Sequence, residues 1–190
     1  MKKSILSLFV LVLFAGVFGC APKQTWNIEQ RMDVREALQN YRKMIYLNDL
    51  TDTEFDVFAD SVTTNLENSY PVYAEFVAME GMKDTVKEVV VVMIARDLDA
   101  NARNMRHLFT YNDMAAQNIL PVGLNHNQLN QFYTCLAEKV NARYQTMEGF
   151  INAVLADTTV TAQIRQFQQE CAAALPVTET EKVQQEYAAE

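Results

Sequence analysis

Val86-Lys87-Glu88-Val89-Val90-Val91-Val92-Met93-Ile94 is the stretch that decides the fold class. Four successive valines suit a strand, because β-branched side chains pack well on a pleated surface. No second β-like run is present to pair with them, and a lone strand leaves its backbone donors and acceptors unsatisfied. The stretch therefore reads as a helix. From Val89 to Ile94 it is apolar all round, so it should be buried on every side. Leu98, Ala102, Met105 and Phe109 then restore a one-sided stripe. The expectation is one long central helix ending near Tyr111-Asn112-Asp113.

Helical grammar continues outward in both directions. Asn27 with Gln30, Thr51 with Glu54, and Asn125 with Gln128 have the spacing of capping boxes. Val34, Leu38, Tyr41 and Ile45 share one face of a first helix that should stop near Asn48. Phe55, Phe58, Val62 and Leu66 line the buried side of a second. Pro71 is tolerated in the first turn of a short third helix, Val72 to Glu80, and Gly81 supplies a left-handed end to it. Past Pro121 and Gly123, Leu129, Phe132, Leu136, Val140, Tyr144, Met147, Ile151 and Val154 recur on one face of a fifth helix. Val160, Ile164, Phe167 and Cys171 face inward on a sixth, which Pro176 ends. The fold class is thus all-α, a single-domain bundle of about five to six helices.

Composition excludes several function classes. Glycines stand only at 16, 19, 81, 123 and 149, so no phosphate-cradling G-x-G-x-x-G or Walker loop and no G-x-S-x-G elbow can be built. The two histidines, His107 and His126, belong to no H-E-x-x-H or C-x-x-C-H motif. No Glu-x-x-His pair is present, which argues against a carboxylate-bridged di-iron bundle. Neither an enzyme activity nor a cofactor can be assigned. Eight methionines follow Met1; they suit adaptable apolar pockets, although scattered core packing accounts for them.

The N-terminus is the most specific segment. Met1-Lys2-Lys3-Ser4 is basic, and Ile5 to Phe18 carries no charge. That run is shorter than the roughly 20 residues a spanning helix needs and suits the apolar region of a secretory signal. Val17-Phe18-Gly19-Cys20 resembles the lipobox of bacterial lipoprotein precursors, departing from its commonest form at Phe18. The resemblance covers only residues 1–20. It implies that Cys20 is acylated and becomes the mature N-terminus; an ordinary signal peptide cleaved near Ala21, or an uncleaved anchor, is the alternative. Because no Asp follows Cys20, it also implies the outer membrane of the cell envelope in preference to the inner. The expected organisation is a signal peptide over 1–19, a lipidated N-terminus and short tether over 20–26, the helical bundle over 27–175, and an acidic disordered tail over 176–190. Trp26, just past the tether, suits either the membrane interface or a buried cap on the bundle's end.

Charge narrows the partners. Without Lys2 and Lys3 the basic residues fall from 16 to 14 against 24 acidic ones, a net charge of −10. Such a chain has no electrostatic reason to bind nucleic acid or anionic headgroups. Membrane attachment must come from the lipid anchor.

Three features invite a chemical reading. Asp49, Asp52, Glu54 and Asp56 make an acidic cluster, and Asp52-x-Glu54-x-Asp56 resembles the first three ligand positions of a calcium loop, yet Val57 stands where glycine is needed and Thr63 where glutamate is needed. Carboxylates in a first helical turn are favoured by the helix dipole in any case. Arg96, Arg103 and His107 fall within about 40° of one another on a continuous helix. That basic face is a candidate anion or partner contact, or simply a solvated face paired with Asp97 or Asp99. Lastly, Arg42 to Leu50 echoes Arg106 to Met114 at an offset of 64. Asn-Asp at a helix-to-helix junction explains the echo locally, with internal duplication as the alternative.

Cys135 and Cys171 remain. If helices five and six form a straight hairpin turning near Asp157-Thr158, Cys171 lies level with about residue 144, roughly 13 Å along the axis from Cys135. A disulfide needs Cα atoms within about 7 Å, so two unpaired thiols are expected. Two functions survive: a non-enzymatic accessory lipoprotein that binds another envelope protein, and a carrier that encloses an apolar small molecule within the bundle.

Overall fold

The computed structural model describes residues 25–156 and 159–176, without the side chains of 155, 156 and 159–161. Cys20, the segment before it and the tail beyond 176 lie outside the described residues. Within them the chain is all-helical: α1 Ile28–Leu38, α2 Asp52–Ser69, α3 Tyr73–Ala78, α4 Met82–Ala100, α5 Tyr111–Ala116, α6 His126–Tyr144, α7 Met147–Ala156 and α8 Thr159–Ala173. Two 3-10 segments, Gln39–Tyr41 and Ala102–His107, join them. The valine run is helical, and no residue from Val89 to Ile94 is exposed. Helix α4 is central, packing on α2 and α7, while α6 packs on α7, α8 and the second 3-10 segment.

All three expected capping boxes form, at Asn27, Thr51 and Asn125. In each, the N-cap side chain accepts from the third helical N–H and the Gln or Glu there reaches back. Gly81 is left-handed at φ 77°, as expected, but it precedes α4; α3 has already ended at Ala78.

Eight α-helices stand among the described residues where five or six were expected: three of the expected helices are interrupted, the break in the fifth adds α7, and α5 forms past the early end of the central one. The first ends at Leu38, and the chain turns through 39–50 with Tyr46 at φ 82°. That reversal buries Tyr46 and Leu47 and leaves Ile45 on the surface. The central helix stops at Asn101, whose extended backbone (φ −152°, ψ 109°) and side-chain oxygen cap the Arg103 N–H at 3.1 Å. Asn competes with the helix for local hydrogen bonds, so it favours such a cap. Asn112-Asp113 consequently opens α5, capped by Thr110, and does not close a helix.

The third interruption corrects the cysteine expectation. Gln145 adopts φ 64° and ends α6; the Thr146 hydroxyl then accepts from the Gly149 N–H at 3.0 Å, starting α7 in a new direction. Helix α7 turns onto α4, and α8 packs antiparallel along α6. Gln128 bonds Pro176, Lys139 meets Glu170, and Arg143 reaches Gln163. In that register Cys171 lies opposite Cys135, and the two form a disulfide with Cα atoms 5.8 Å apart. The straight-hairpin premise, not the rise per residue, was at fault.

The N-terminal end is fastened by one acid. Glu67 is buried at 3% exposure and accepts from the Thr25 and Trp26 backbone N–H groups and from the Arg31 guanidinium. Trp26 is buried, with its indole N–H on the Tyr70 carbonyl at 2.9 Å and its ring against Tyr73 and Phe76. Of its two readings, the buried cap is the one observed.

Candidate functional site

Among the described residues, two clefts bear on function. The first, about 490 Å³, lies between α2, the end of α4 and the 3-10 segment 102–107. Arg96 and His107 line it, together with Arg106, which the sequence reading passed over in favour of Arg103. The break at Asn101 is the reason. A 3-10 segment turns by 120° per residue instead of 100°, so the face computed for a continuous helix does not exist.

His107 is buried on the inner side of the segment. Its Nδ1 lies 2.8 Å from Asp49 Oδ2, and its ring stands edge-on to Tyr46 at 5.3 Å. Tyr46 donates its hydroxyl to Asp97. Burial above all, then that bond and the Asp97 charge, push the Tyr46 phenol far above its ordinary value. Tyr133 is raised likewise, by burial first and the Asp49 charge second, and donates to the Phe109 carbonyl at 2.9 Å. Both phenols are therefore fixed donors at neutral pH and supply no phenolate.

On the opposite wall Glu54 is held below the usual carboxylate range, chiefly by the Thr51 backbone N–H and hydroxyl and less by His107 and Arg106. Arg106 reaches it at 3.5 Å. Ser61, also in the cleft, donates to the Val57 carbonyl of its own helix. Arg96 is exposed at the rim, its guanidinium 3.8 Å from the Met93 sulfur. The chemistry of this cleft is that of charge and hydrogen bonding over an apolar floor of Leu50, Phe58 and Met93.

The acidic run resolves into separate pairs. Asp49 faces His107, Asp52 meets Arg42 at 2.8 Å, Glu54 meets Arg106, Asp56 approaches Arg35 at 3.9 Å, and Asp60 bridges Arg31 and Arg35. Each carboxylate is engaged by an Arg or His on another element, with Arg35 shared by Asp56 and Asp60, which explains the cluster without a shared ligand. The echoing segments 42–50 and 106–114 meet through the Tyr46–His107 and Asp49–His107 contacts. A twofold arrangement would add the reciprocal pair Lys43–Asp113, which is not present among the described ion pairs. Tyr46 and Asp97 carried no sequence signal, because their meeting depends on the left-handed turn at Tyr46.

The second cleft is larger, about 700 Å³, and lies between α5, the end of α7 and α8. Leu108, Phe109, Met114, Ile119, Val154 and Ile164 give it mostly apolar walls. Five of its thirteen lining residues are polar: Thr110, Asp113, Gln117, Arg165 and Gln168. No described helix is long and apolar enough to cross a membrane. No protein-family model matches the chain, and no curated protein and no solved structure matches it either.

Proposed function

We propose that this chain is an exported, lipid-anchored lipoprotein of the bacterial cell envelope that acts by binding and not by catalysis. The observation that carries the reading is the Cys135–Cys171 disulfide. Disulfides form and persist outside the reducing cytosol, which agrees with the signal-like residues 1–19 and the lipobox-like Cys20. The Glu67 clasp adds to this. It fixes Thr25 and Trp26, so an anchor on Cys20 sits at most ~20 Å of extended chain from the folded body. The buried residues from Trp26 to Cys171 form one hydrophobic cluster, which supports a single domain over 27–175. In this reading the outer membrane is the destination, and the cleft edged by Arg96, Arg106 and His107 is a contact for an acidic partner in the envelope. Arg103 does not line it.

Cys20→Ala tests the anchor. Wild-type protein should be found in the membrane fraction, with mass spectrometry showing an acylated N-terminal peptide starting at Cys20. The variant should be unprocessed or soluble. An unmodified N-terminus elsewhere in the wild type would refute the proposal.

A second reading, a carrier of an apolar small molecule, is favoured by the second cleft. Its volume, and its eight apolar lining residues set beside five polar ones, suit a small-molecule site.

A further inference from the structure

Gln168 is the feature of the second cleft that packing does not explain. It is buried at 6% exposure on α8 and lines the cleft. Its amide makes no hydrogen bond among the described residues, while no fully enclosed side-chain N or O lacks a partner. Its amide atoms are therefore not fully enclosed, and the residue is part of the cleft's lining. One turn away on the same helix, Arg165 stands exposed at the mouth. Its guanidinium donates to Gln117 on the far lip, at the end of α5. Among the described residues it pairs with no carboxylate. Asp113, the acid in this cleft, is engaged by the Thr110 hydroxyl at 2.7 Å.

We infer that this cleft binds a single-chain acyl amphiphile with a carboxylate head, the head on Arg165 and Gln168 and the chain along Phe109, Met114 and Ile164. The inference rests on the carrier reading and names its ligand class. A cleft with mostly apolar walls takes an alkyl chain by burying it, at about 0.8 kcal/mol per CH₂. The head follows from the polar groups. A guanidinium held by one neighbour keeps further N–H donors in a planar fork that matches two carboxylate oxygens. The Gln168 amide adds a donor from the inner side. A phosphate head would call for more positive charge than a lone arginine beside Asp113.

The test uses residues 20–190 with Cys20→Ser, which keeps every buried residue from Trp26 to Cys171. The probe is the fluorescent polyene fatty acid cis-parinarate at low micromolar concentration, displaced by oleate or by oleyl alcohol. One site per chain is expected, with oleate displacing the probe about tenfold more effectively than the alcohol. Arg165→Glu should abolish that preference. Ala162→Trp, an exposed position on the lip, should remove binding with unchanged melting. Equal displacement by the alcohol, together with an indifferent Arg165→Glu, would overturn the carboxylate while leaving an apolar carrier standing. Binding that survives Ala162→Trp would place the site elsewhere and overturn the assignment. Binding of neither acid nor alcohol would remove the carrier reading as well.

Discussion

The two ends of the described body are fastened by opposite means. At the start, Glu67 gathers two backbone N–H groups and a guanidinium, holding Thr25, Trp26 and Arg31 on α2. At the finish, a covalent bond from Cys171 to Cys135 holds α8 on α6. The clasp acts only in the folded state, since unfolding returns every partner to water. The disulfide acts chiefly on the unfolded state, whose freedom it restricts. One end is therefore sensitive to charge and the other to redox conditions.

Removing the staple should have the largest effect. With Cys135→Ser and Cys171→Ser together, loop-closure entropy for a separation of 36 residues predicts a loss of about 4 kcal/mol. Urea denaturation with and without reductant measures it, and hydrogen exchange should quicken in α8 before α1. Equal quickening at both ends would mean that the two fastenings are not independent.

Glu67→Leu attacks the other end. It leaves two N–H groups without their acceptor and a mostly buried guanidinium short of one carboxylate, a cost of about 3 kcal/mol. Exchange should now quicken first around Trp26, and indole fluorescence should shift toward a wetter environment. An unaltered emission spectrum would show that Tyr70, Tyr73 and Phe76 hold Trp26 without the clasp.

The caps sharpen the comparison at smaller scale. Asn27→Ala and Asn125→Ala remove equivalent capping boxes from α1 and α6, each at about 1 kcal/mol. Combined with Glu67→Leu, the Asn27 change should be non-additive, because cap and clasp hold the same entry to α1. The Asn125 change should add simply.

The smallest effect is one of pH. Glu54 has a folded-state value below its unfolded one. Its contribution is therefore present above the ordinary carboxylate range and lost as pH falls through the folded value. Glu54→Gln should make the acid limb of a stability–pH profile slightly shallower. A steeper limb would reverse the sign.

Elements whose boundaries are set by local chemistry were legible in advance. Asn27, Thr51 and Asn125 start helices because their side chains satisfy N–H groups within three residues. The valine run is helical because it had no strand to join. The missed boundaries were also local, but their cues lay inside apolar stripes that continued across them. Asn101 and Thr146 each cap a new segment, yet Met105 and Met147 keep the stripe going, so periodicity read straight through both breaks. The first cleft was half legible for the same reason. Arg96 and His107 reach it, whereas Arg103 does not, because the residues after Asn101 wind as a tighter helix. Gln168 was legible only by position: it follows Ile164 by four residues on the inward face of α8, but its amide hid it among the apolar residues of that stripe.

The staple also changes what cutting the chain can do. Cys135 and Cys171 close a covalent ring, so a peptide bond broken at any point from 136 to 170 opens the ring without separating the pieces. A protease that nicks the chain there would leave one particle of unchanged mass apart from added water. It would run as two fragments only after reduction. A nick next to Val154 or Ala162, which line the second cleft, would free new termini there while α6 and α8 stay joined, so proteolysis at that place is a modification and not a disassembly.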